Sequence, residues 1–96
     1  MPRYYFHTVH GRSIRDLDGE TLVDARAAHR TAVRVLGEIL RDGSPEFLDD
    51  EPFSLICLDQ QGDVVTGLSA RRLSGTAAAR VLLDAPEAEE GPADDA

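Results

Sequence analysis

D-A-R-A-A-H-R-T-A-V-R-V-L-G-E-I-L-R-D, residues Asp24 to Asp42, is the one long stretch of the chain with an unmistakably helical period. At about 100° per residue, Ala25, Ala28, Ala32, Leu36, Ile39 and Leu40 share one face, with Val33 and Val35 at its margins. Arg26, Arg30, Arg34 and Arg41 fall on the opposite face. Asp24 suits the N-cap, and Val23 before it can staple back onto Ala28. Arg41 complements the negative end of the helix dipole, and Gly43 suits the left-handed position past the last turn. One amphipathic helix is therefore expected, and the segments on either side decide what it packs against.

Residues 3 to 9, R-Y-Y-F-H-T-V, are rich in β-formers and predict a first strand. His10-Gly11-Arg12 reads as a tight turn into a second short strand, Ser13 to Asp16. Leu17 to Glu20 is a further turn, and Thr21 to Val23 leads extended into the helix. Beyond Gly43 an acidic connection runs to Pro52, with Phe47 and Leu48 placed to tuck under the core edge. Phe53 to Leu58 predicts a third strand, Asp59 to Gly62 a turn, and Asp63 to Leu68 a fourth strand. The order β-β-α-β-β gives an α+β class: a two-layer fold with a four-stranded antiparallel sheet and the main helix on one face.

The strands carry a second message. Tyr4 and Phe6 oppose Tyr5 and Val9 across strand 1, and Phe53, Leu55 and Cys57 oppose Ile56 and Leu58 across strand 3. A sheet covered on one side alternates apolar with polar residues, whereas here both faces are apolar. One helix cannot cover both. Two covers suggest themselves: a short C-terminal helix over Thr76 to Leu83, behind a Ser74-Gly75 break, or the sheet of a second subunit.

Ninety-six residues, 42% of them apolar, suffice for one small domain, expected over residues 1–83. The net charge of -8 is uneven: residues 84–96 hold six acids and no base, leaving 12 acids against 10 arginines in the rest. That segment has the composition of a disordered acidic tail. A lone cysteine, Cys57, fits a reducing compartment, and no run of about 18 apolar residues or signal-peptide pattern occurs, so a cytoplasmic protein is expected.

The opening M-P-R-Y-Y-F-H, the turn Asp16-Leu17-Asp18-Gly19, and the helix start Leu22-Val23-Asp24 resemble a family of short bacterial proteins, common in alphaproteobacteria. Ala28 with Ala32, and D-Q-Q-G-D-V-V over Asp59 to Val65, extend the likeness to residues 1–69. The family is classed as a domain of unknown function. The resemblance supports the fold and implies no catalytic residue, cofactor or metal. The stretch through Arg71-Arg72 and the acidic tail is this chain's own.

Most chemical motifs are absent. The chain has no lysine, so neither a P-loop lysine nor a Schiff-base nucleophile exists, and no serine sits in G-x-S-x-G. Asp16, Asp18 and Glu20 hint at a calcium loop, but the glycine falls at Gly19 rather than at position 21, which favours an acidic turn. His7 and His10 are three residues apart on one strand, hence on opposite faces, and cannot share a metal. His7 reads as a hydrogen-bonded sheet histidine, His29 as a helix-margin histidine, and Cys57 as a small hydrophobe with no adjacent base.

Three functions follow in order of weight. The first is a non-enzymatic interaction or regulatory module, self-associating through an apolar sheet face that includes Tyr5, His7 and Val9. The second is a nucleic-acid binder using the stripe Arg26, Arg30 and Arg34, with the acidic tail as an intramolecular counter-ion. The third is a small ligand binder or enzyme around His7 and Tyr5. The expected partner is a second copy or another protein, with nucleic acid second and no membrane.

Overall fold

The computed structural model describes residues 1–42 and 51–88. Strand β1 (Arg3–His10) turns at Gly11, φ 76°, into β2 (Arg12–Ile14). A two-residue strand β3 (Glu20–Thr21) precedes helix α1 (Ala25–Arg41). A second hairpin, β4 (Phe53–Asp59) and β5 (Val64–Ala70), leads to helix α2 (Gly75–Asp84). All pairings are antiparallel, in the order β2-β1-β4-β5. Because β4 occupies one edge of β1 from Tyr4 to Val9, β2 and β3 share the other. The α+β class and the β-β-α-β-β path are as expected, with β3 as a short fifth strand.

Helix α1 covers the face that carries Tyr4, Phe6, Leu55 and Cys57. Tyr4, Ala28 and Cys57 form the centre of the core, with Phe6, Leu22 and Val65 packed around them. Ala28 and Ala32 are fully buried, and their small side chains let the helix axis approach the strands closely. Asp24 caps α1 by accepting from the Ala27 N–H at 2.9 Å, and the Asp42 N–H closes the last turn on the Glu38 carbonyl at 3.1 Å.

The buried stripe of α1 is narrower than periodicity alone predicts. It centres on Ala28, Thr31, Ala32 and Leu36, so Ala25 and Leu40 stand in solvent at its rim. Val23 is exposed rather than stapled; Leu22 is the residue that packs on the core, its N–H donating to the Pro2 carbonyl at 3.0 Å. Gly43, Phe47 and Leu48 lie outside the described residues.

Helix α2 forms as its pattern predicts, with the Ser74 hydroxyl accepting from the Ala77 N–H at 3.1 Å. It covers neither face of the sheet. None of its residues is buried, and Val81, Leu82 and Leu83 are 60%, 77% and 80% exposed.

Leu36→Asp is expected to destabilise by several kcal/mol, since it forfeits about 1.5–3 kcal/mol of apolar burial and places a charge against the sheet. Val33→Asp, on a half-exposed position, is expected to stay within about 0.5 kcal/mol of the parent. Urea titrations of both variants check the placement, and equal midpoints would refute it.

Candidate functional site

Strand alternation places Tyr5, His7 and Val9 on the sheet face turned away from α1. The register sets Leu58, Ile56 and Ser54 beside them on β4, and Val64, Gly67 and Ser69 beyond on β5. Among the described residues no helix packs on this face. Tyr5, His7, Ile56 and Leu58 are half-buried by their neighbours, and Val9 and Val64 are exposed. Its polar groups are partly satisfied within the face: the Ser54 and Ser69 hydroxyls bond each other at 3.2 Å.

The expected acidic turn proves to be the device that organises one end of this face. Between β2 and β3 the outer edge of β1 has no strand beside it. Asp16 fills the gap, one carboxylate oxygen accepting from the Phe6 N–H at 3.0 Å. The other oxygen accepts from the Asp18 and Gly19 N–H groups, both at 3.1 Å. The Asp16 N–H in turn donates to Nδ1 of His7 at 2.9 Å. An N–H can only donate, so Nδ1 is the acceptor and the neutral ring carries its proton on Nε2. Gly19 is required twice over, because its φ is 72° and a Cβ there would stand 2.8 Å from both the Tyr4 carbonyl and the Tyr5 ring.

Burial alone would raise the Asp16 pKa. The N–H groups of Phe6, Gly19 and Asp18 outweigh that and hold the carboxyl below its ordinary 3.8. A shallow depression of about 340 Å³ opens beside this latch, lined by Tyr5, His7, Arg15, Asp16, Leu58 and Gln60 among others. Three of the groups with acid–base capacity that line it, His7, Asp16 and Asp59, already hold backbone hydrogen bonds. Cys57 lies on the other face, fully buried, and burial followed by the nearby Asp59 pushes its thiol up to about 11. It is protonated and shielded at neutral pH.

His10 falls on the α1 side, as alternation requires, its ring 6.1 Å from that of Phe53. His29 is exposed and joins α1 to the sheet through the Thr66 hydroxyl at 3.0 Å, a tie across 37 residues that no local pattern announces. The arginine stripe stands in solvent. Arg34 pairs with Glu38 at 3.8 Å, whereas Arg26 and Arg30 make no ion pair among the described residues. With Ala25, His29 and Val65, those two line an open groove of about 380 Å³ between α1 and β5. The structure thus gathers Tyr5, His7 and Val9 on one face, and sets Arg26, Arg30 and Arg34 on the far side of the sheet from them. The residues that sequence alone did not assign to the site are Asp16, Ile56 and Leu58; strand alternation was the available signal for the last two. Among the described residues no three His, Cys, Asp or Glu side chains converge on a point that would hold a metal ion, and no helix is long and apolar enough to cross a membrane.

A depressed folded pKa means that the Asp16 contribution is complete above its ordinary value and is lost as pH falls through the folded value. Asp16→Ala is expected to cost about 1–3 kcal/mol at neutral pH by orphaning the Phe6 N–H. Asp16→Asn is expected to flatten the part of the stability profile below about pH 4, measured by urea midpoints from pH 2 to 7. A profile unchanged in both variants would refute the latch.

Residues 3–71 match the family model described as Domain of unknown function (DUF6894), so the chain belongs to that family. No curated protein and no solved structure matches it.

Proposed function

We propose that this member of the DUF6894 family is a non-enzymatic interaction module that associates with a second copy of itself through the sheet face opposite α1. The observation that carries this reading is the unpartnered set Tyr5, Val9, Ile56, Leu58 and Val64, adjacent on three paired strands. At about 4.8 Å between strands and 3.3 Å per residue, the face measures roughly 15 by 20 Å. That face of about 300 Å², in which His7, Ser54 and Ser69 stand among the apolar residues, is comparable in extent to the largest patch on a typical monomer, which is often functional. The non-enzymatic part is supported by the commitment of His7 Nδ1 and the Asp16 carboxylate to backbone N–H groups, and by the high pKa of the buried Cys57.

Light scattering coupled to size exclusion is expected to give twice the chain mass at about 100 μM. Ile56→Gln is expected to shift the equilibrium toward monomer by about 1–3 kcal/mol while leaving the far-UV spectrum unchanged. A wild-type chain that is still monomeric at that concentration would overturn the proposal.

A second reading, binding of a nucleic-acid backbone, is favoured by one feature: Arg26 and Arg30, which make no ion pair among the described residues, lie along a groove. It calls for binding of single-stranded RNA that weakens steeply with salt and disappears in an Arg26→Glu, Arg30→Glu, Arg34→Glu variant.

A further inference from the structure

The chain carries two unpartnered apolar surfaces among its described residues, the sheet face and helix α2, and each has the shape and chemistry the other needs. We propose that in the self-association argued above, on which this inference rests, the element that lands on the sheet face is α2 of the second copy, exchanged reciprocally between two chains.

The case begins with α2 itself. A ten-residue helix whose Val81, Leu82 and Leu83 all stand in water contributes nothing to its own core. It begins at Gly75, after a four-residue connection (71–74) from the end of β5, an edge strand of the sheet. It therefore leaves from a sheet edge and lies clear of its own strands. At 1.5 Å per residue it spans roughly 15 Å, which is about the width of β1, β4 and β5 together.

The receiving face is shaped for close approach. Gly67 has no side chain beside Ile56, and Ser54 with Ser69 keeps the neighbouring surface low, their hydroxyls already bonded to each other. Against such a floor a helix with alanine at positions 77, 78 and 79 can sit near the strands, with Val81 and Leu82 reaching Ile56 and Leu58. Charge fits as well. Asp84, the last residue of α2, and Glu87, three residues past it, make no ion pair among the described residues, and Arg15 at the rim of the face has none either. Face-to-face stacking of two sheets would bury the strands but leave both copies of α2 in water. Exchange buries both surfaces at once and closes on a two-fold axis, so assembly stops at two chains.

The test uses two full-length variants, Ile56→Gln on the face and Leu82→Asp on the helix, with light scattering as the readout. Leu82 is exposed in the single chain, so its variant is expected to keep the wild-type far-UV spectrum; Val9→Glu serves as a second face variant should Ile56→Gln lose it. Each variant alone is expected to raise the dimer Kd about 10–100-fold, because every dimer holds the lesion twice. Mixed in equal amounts, they are expected to regain dimers, since the intact helix of the face variant meets the intact face of the helix variant. A Leu82→Asp chain as dimeric as wild type, or variants that stay monomeric when mixed, would overturn the exchange and leave self-association through the face standing. A monomeric wild type would overturn both, and a monomer whose melting temperature falls in Leu82→Asp would place α2 on its own sheet.

Discussion

A 17-residue helix laid across a sheet can dry only one of the sheet's two faces, and the rest of this structure answers to that limit. On the covered side the small residues Ala28 and Ala32 bring the backbone down onto Tyr4 and Cys57, and the core they close is compact but small. A domain of this length has little apolar burial to spare. Leaving Tyr5, Ile56 and Leu58 on the other side half in water therefore forgoes stabilisation that no element recovers among the described residues. That imbalance is the physical basis for treating the second face as a surface for association.

The residues that look most like a signature do structural work. Asp16-x-x-Gly19 and Asp59-x-x-Gly62 are the same device used twice. In each, a carboxylate gathers backbone N–H groups and a glycine with positive φ completes the turn. The turns flank the start of β1, whose Tyr4 pairs with Glu20 on one side and Asp59 on the other. Arg3 ties them together, its N–H donating to the Gln60 side-chain oxygen at 3.0 Å and its guanidinium to the Asp18 carbonyl. The Asp16 and Asp59 carboxylates are thus occupied in holding the edge of the sheet.

How much of this could be read from the chain depended on how local each determinant is. The helix was legible because its cap, its period and its basic last turn lie within one stretch, and β4 because its apolar residues run without a break. The β3 pairing was not legible, since two residues bound to Arg3 and Tyr4 carry no period of their own. The bulge between Cys57 and Leu58 was equally hidden, although it lets Val65 reach the core while Val64 stays with the other face. Thr31 was missed because a polar residue on a helix is counted as solvent-facing until the rotation of the helix on the sheet is known. For the site, alternation gave Tyr5, His7 and Val9 together. It could not show that the His7 ring is engaged by Asp16, nine residues away on a turn.

The apolar face and the arginine stripe began as rival readings, yet their placement removes the rivalry. Helix α1 lies on one side of the sheet and the unpartnered face on the other, so an assembly through that face would leave Arg26, Arg30 and Arg34 outward on both copies. Single exposed guanidinium groups bind anions weakly and are screened within about 10 Å at ordinary salt. Two stripes on one closed particle would act together on any ligand long enough to reach both, and affinity would then depend on dimer formation as well as on charge. On the proposed association, the stronger effect would set the order of events: apolar burial would make the assembly first, and the arginines could act in concert only after it exists.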